Sequence, residues 1–104
     1  MSADLSAYML KVTKGDKESF RFIANSLGYK MHATATKILG SSHFEDVDDV
    51  VQISLIKVWQ SAPNWVNKGS VEGYIYKIVF STCMDFFRRY KSAEEFKDNY
   101  SNLN

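Results

Sequence analysis

Apolar residues recur at every third or fourth position through almost the whole chain, and a single proline, Pro63, interrupts them. That spacing is the period of a helix with one buried face, and no stretch alternates as a strand would. Leu5, Tyr8, Met9 and Val12 make a short leading helix. Gly15 stops it, and Asp16 is placed to cap the next one. From Lys17 to about Leu39 the stripe Phe20, Ile23, Leu27, Met31, Ala35 and Ile38 defines a long helix, which Gly40-Ser41-Ser42 ends. Gly28 lies inside it at a cost of about 1 kcal/mol relative to Ala. A third helix, with Asp46 as N-cap and Asp48 and Asp49 in its first turn, runs to about Ser61, ahead of Pro63. A polar loop covers residues 64–69, and Ser70 then caps a last helix reaching roughly Lys91. The expected fold is all-α: a compact bundle of three main helices plus a short N-terminal helix over residues 1–91. Residues 92–104 are expected to be a polar, frayed tail or the start of a linker.

With 104 residues, 45% of them apolar and 14% aromatic, the chain suits one domain whose core needs neither disulfides nor metal. Cys83 has no cysteine to pair with and is expected to be a small buried apolar group, while His32 and His43 are scattered. No metal site and no cofactor are therefore expected. No segment approaches the ~20 apolar residues of a membrane helix, and the N-terminus lacks a signal peptide's pattern. A cytoplasmic protein with no membrane insertion is expected. No paired carboxylates, no nucleophile beside a base and no phosphate-cradling glycine loop can be found, so an enzyme is not expected.

Two helix faces carry more than a core requires. Winding the third helix at about 100° per residue gathers Val47, Val50, Val51, Leu55, Val58 and Ala62 as core. Opposite them stand Asp49, Gln52, Ile53, Ile56 and Gln60. Ile53 and Ile56 there are either covered by another helix or form the apolar centre of a docking surface with a polar rim. On the last helix Ile75, Ile78, Val79, Thr82 and Phe86 form the core stripe, opposite Lys77, Ser81, Met84, Arg88 and Lys91, with Phe80 alongside. From residue 77 to 91 four basic residues (Lys77, Arg88, Arg89, Lys91) meet one acid, Asp85, while residues 45–49 hold four acids and no base. The formal charge of +1 thus hides a dipolar layout. The basic excess fits nucleic acid, or simply the negative end of the helix dipole. Trp65, among Asn64, Asn67 and Lys68, either folds back onto the core or offers a stacking platform to unpaired bases.

The order of these signals is also informative. Gly15-Asp16-Lys17-Glu18-Ser19-Phe20, Asp46-Val47-Asp48-Asp49-Val50-Val51-Gln52 and Leu55-Ile56-Lys57-Val58-Trp59 resemble region 2 of extracytoplasmic-function (ECF-type) RNA polymerase sigma factors. Gly69-Ser70, Tyr74-Ile75-Tyr76-Lys77-Ile78 and Met84-Asp85-Phe86-Phe87-Arg88-Arg89 follow in the family's spacing. The resemblance covers residues from about 5 to 91. It implies a sigma region 2-like bundle that docks on RNA polymerase core, at a coiled coil of the largest subunit, through Asp48, Asp49, Gln52, Ile53, Ile56 and Lys57. It further implies that Asn64, Trp65, Asn67, Lys68, Tyr74, Lys77, Ser81, Arg88, Arg89 and Lys91 meet promoter DNA, opening the minus-ten element and capturing bases of its non-template single strand. An anti-sigma factor is an implied partner.

This chain departs from the family in two places. Phe80-Ser81 replaces a common Arg-Asn pair, removing a cation and an amide from the DNA-facing side, and Ile53 stands where an acid or amide is common. Nothing after Lys91 supplies the family's second helical domain, so an excised domain is expected, or else a natural region-2-only protein. The alternative function is a sigma-like interaction module that binds polymerase or an anti-sigma factor without opening promoters.

Overall fold

Each apolar stripe becomes a helix in the computed structural model, which describes residues 5–66 and 69–102. Helix α1 spans Leu5–Val12, α2 Lys17–Leu39, α3 Val47–Ser61 and α4 Val71–Asn102. A 3-10 segment, Ser41–Asp46, leads into α3, and a 3-10 turn, Ala62–Asn64, leaves it. No strand occurs among the described residues. Helices α2, α3 and α4 pack against one another, and α1 lies along α2, where Tyr8 stacks on Phe22 at 4.1 Å between ring centroids.

The ends of the helices show how closely local chemistry directs the chain. Gly15 and Gly40 take φ of 89° and 76°, a region that a side chain resists, and so they close α1 and α2. Ser70 caps α4 as expected, its Oγ accepting from the Gly73 N–H at 2.9 Å. Asp16 and Asp46 hold the expected N-cap positions, but neither side chain accepts from the backbone of its helix. Asp16 instead accepts from the Ser19 hydroxyl at 2.6 Å. Pro63 falls in the 3-10 turn and not in α3, because its ring is compatible only with the first positions of a helical turn.

The core joins Met9 and Val12 to Ile23, Leu27, Met31, Ala35 and Leu39 of α2, all buried. From α3 come Val47, Val50, Val51, Ser54 and Val58, and from α4 Val71, Ile75, Val79, Thr82 and Cys83. No buried residue of α3 or α4 is bulkier than isoleucine. Ser54 and Thr82 satisfy their hydroxyls on the carbonyls of Val50 and Ile78, so their burial carries no unpaired polar group. Burial pushes the Cys83 thiol up, as for a small apolar core group.

Three details differ from the helical wheel. Leu55 is half-buried at the core's edge, and Ser54 takes the central position. Met84, on the outward side of the wheel, packs against the core with its flexible thioether. Helix α4 does not stop near Lys91 but continues to Asn102, with residues 92–98 exposed. Its C-terminal half is anchored by His43, whose ring meets Phe86, Phe87 and Tyr90 edge-on at 5.2, 5.7 and 4.6 Å. That cluster ties the 3-10 segment to α4, and the mostly polar residues 92–98 then extend the helix. Helix propensity favours this run: Ala93, Glu94, Glu95 and Lys97 are good helix formers and no Gly or Pro interrupts them.

Candidate functional site

The outward face of α3 is open. Asp48, Asp49, Gln52 and Gln60 are exposed, and Ile56 is 54% exposed at their centre. Gln52, Ile56 and Gln60 border a groove of about 440 Å³ that continues over Trp59 and Phe20 to Lys17 of α2. Phe20 meets Trp59 edge-on at 5.2 Å and forms its floor. Asp48 leans toward α2, with His32 Nε2 at 3.4 Å. Ile53 and Lys57 lie at the other margin and are half-buried against α4. No helix covers Ile56, while Ile53 is partly covered, so only one of the two keeps a wholly outward position.

Lys57 is committed within the domain. Its Nζ donates to Asp85 Oδ2 of α4 at 3.1 Å, and the Arg88 guanidinium donates to Oδ1 of the same carboxylate. Hydrogen bonds from Lys57 and then Arg88 hold the Asp85 carboxyl below the usual carboxylate range. Ile53, Lys57, Asp85, Arg88 and Arg89 line an open cleft of about 460 Å³ between α3 and α4. Only the one-turn spacing of Asp85 and Arg88 hints at this arrangement in the sequence. Lys57 lies 28 residues from Asp85, and only the fold brings them together.

A second cleft, of about 280 Å³, opens where the loop after α3 meets the start of α4. Asn64, Trp65, Ser70, Gly73, Tyr74 and Lys77 line it. Trp65 is half-buried with its ring against the core, yet it still contributes a wall to the cleft, so the two readings of this residue meet in one side chain. The Tyr74 and Ser61 hydroxyls share a short hydrogen bond that ties the end of α3 to the first turn of α4. A Cβ at Gly73 would sit 3.0 Å from Ser70 Oγ, so glycine there lets the cap close. Asn67 and Lys68 lie outside the described residues.

Along α4, Lys77, Ser81, Arg88 and Lys91 are exposed and lead away from this cleft. Arg88 follows Lys77 by three turns, about 16 Å along the axis. Arg89, about 100° around the helix from Arg88, joins it in lining the α3–α4 cleft. Phe80 is 45% exposed and stacks on Tyr76, 53% exposed, at 6.4 Å between centroids. This aromatic pair, absent from the sequence-based site, was signalled only by the four-residue spacing of two rings.

Comparison with known proteins places this geometry. The sigma-70 region 2 family matches residues 24–93. This chain belongs to that family. Among individual proteins, RNA polymerase sigma factor SigZ of Bacillus subtilis (strain 168) is 35% identical over 52 residues, a match spanning 50% of this chain and 30% of SigZ. The region 2 chain thus spans about a third of that relative's length. An NMR structure of an engineered region 2 of sigmaE in complex with GTAAAA has the same fold, with a TM-score of 0.73 and 23% identity, over 86% of this chain and 93% of that one. Among the described residues of this region 2 domain, no helix is long and apolar enough to cross a membrane. Among the described residues, no three or more His, Cys, Asp or Glu side chains gather in a group that could hold a metal.

Proposed function

We propose that this region 2 domain, of the ECF type, acts in transcription initiation in the cytoplasm, docking on RNA polymerase core and capturing unpaired bases of the minus-ten element. The observation that carries the reading is the cleft of Asn64, Trp65, Tyr74 and Lys77 at the head of a basic helix face. Its volume equals about nine waters at ~30 Å³ each, enough room for a flat base. A half-buried indole and a phenol supply flat apolar walls, an exposed amide can pair with a base edge, and Lys77 answers the phosphate backbone. Capture must offset the few kcal/mol of unstacking a base, and stacking at ~1–3 kcal/mol per base is of that order.

Polymerase docking falls to Asp49, Gln52 and Ile56, with Asp48 at the edge. Ile53 and Lys57 belong more to the seam with α4 than to the open face. An anti-sigma factor covering the same faces would block both contacts. Residues 92–102 are read as the helical start of a linker.

Anisotropy titrations with labelled short single strands of varied sequence, GTAAAA among them, test the DNA half at physiological salt. At least one strand should bind roughly tenfold tighter than the rest, and Tyr74→Ala should remove that preference. The exposed Tyr76–Phe80 pair favours a second reading, an interaction module that binds polymerase or an anti-sigma factor without opening promoters. Uniform, salt-sensitive binding to every strand would select it.

A further inference from the structure

Asp85 is the one acid between residues 77 and 91, where Lys77, Arg88, Arg89 and Lys91 supply four cations. Both of its oxygens are engaged, Oδ2 by Lys57 of α3 and Oδ1 by Arg88 of α4. Those two cations, with Arg89, are the ones the α3–α4 cleft would present to an incoming anion. The side chains of Lys57 and Arg88 are 35% and 75% exposed, so a ligand can reach both without the helices moving. The cleft thus carries three positive groups and one negative, and the negative one sits between two of its competitors' partners.

Resting on the reading that α4 meets DNA, we infer that Asp85 is an internal competitor for DNA phosphate. In the free domain it occupies Lys57 and Arg88, and a backbone phosphate entering the cleft must take them from it. A phosphate can do so, because it offers the guanidinium the same paired acceptor geometry as a carboxylate. Because the two cations are already partnered, their binding to DNA gains less than that of free cations. Backbone affinity, which carries no sequence information, is held down, and base capture in the neighbouring cleft decides where the domain stays. Asp85 is ionised throughout the neutral range, as an ordinary aspartate is, so the competition is in force there.

A different role, in which Asp85 only fastens α3 to α4, predicts a lower melting temperature in Asp85→Asn and no gain in DNA affinity. The test is anisotropy of labelled oligo-dT, a strand with no promoter sequence, titrated across a salt series with the full chain. Wild type, Asp85→Asn, and Asp85→Asn combined with Arg88→Gln are compared after circular dichroism has shown each to be folded. Asp85→Asn should bind roughly 2- to 30-fold tighter at low salt, the range set by two exposed ion pairs. Its slope of log affinity against log salt should steepen by up to about 1.4, for two added phosphate contacts on a single strand. Arg88→Gln should remove much of the gain. If folded Asp85→Asn binds oligo-dT no tighter than wild type, the inference is overturned. It fails alone when wild type still prefers one strand of the sequence panel, and fails with the DNA reading when no protein binds any strand.

Discussion

Ile56 gives the sharpest separation of docking from folding. Fully burying an isoleucine side chain contributes about 1.5–3 kcal/mol, and Ile56 is 54% exposed in the free domain. Covering it with a partner therefore removes about half of that surface, a contribution of roughly 0.8–1.6 kcal/mol. Ile56→Ala should weaken polymerase binding about 4- to 15-fold. Ile56→Asp also leaves an unpaired carboxylate in the covered patch, at a further ~1–3 kcal/mol or more, so the loss should reach at least roughly 20-fold. Folding should register either change somewhat less, since the part of Ile56 already covered in the free domain contributes roughly 0.7–1.4 kcal/mol by the same reckoning. That corresponds to a shift of roughly 4–7 °C in melting temperature, at about 5 °C per kcal/mol. The assay is biolayer interferometry against immobilised polymerase core or its isolated coiled coil, with thermal melts followed by circular dichroism. Undiminished binding by folded Ile56→Asp refutes the placement of the docking surface. A melting temperature lowered by ten degrees or more (roughly 2 kcal/mol) refutes the claim that Ile56 faces outward.

Two further outcomes follow from the interior and from the α3–α4 seam. Ile23 is 1% exposed at the centre of α2, and Ile23→Ala should lower stability by about 2–5 kcal/mol, moving the urea midpoint down with an unchanged m-value. The folded pKa of Asp85 lies below its unfolded one, so its stabilisation is present above the unfolded value of about 3.9 and is lost as pH falls through the folded value. The stability difference between wild type and Asp85→Asn should hold constant from pH 7 to pH 5 and shrink as the pH falls below the unfolded value; its size should stay within about 2 kcal/mol for two such exposed pairs.

Much of the fold was legible because its helices are amphipathic and bounded by strong local signals. Gly15, Gly40, Pro63 and Ser70 each act on the few residues around them, and α2 and α3 accordingly begin and end where the sequence indicates. The end of α4 was not legible in the same way. Polarity after Ser92 was read as fraying, whereas a helix already anchored by His43 on Phe86, Phe87 and Tyr90 propagates through good helix formers without needing a buried face. The site divides along the same line. The cleft around Trp65 and Tyr74 is built from neighbours in sequence and could be assembled by inspection. The outward position of Ile56 follows from helix phase alone. What a helical wheel cannot supply is distance between helices, and so Lys57 was assigned to the open face when Asp85 draws it into the seam. Met84 was misplaced for a related reason, since a long flexible side chain can bend from an outward Cα back to the core.

The modest girth of the side chains buried in α3 and α4 sets a mechanical tolerance. Distance between packed helix axes, about 8–10 Å, is fixed by what stands between them. With valine, isoleucine, serine, threonine and cysteine as the filling, these two rods are held close enough for one lysine to span the gap. The rod proposed to meet polymerase and the rod proposed to meet DNA are thereby machined as one part. A bulkier filling would leave both working faces chemically intact and yet set them at the wrong separation for a single rigid object to engage protein and DNA together.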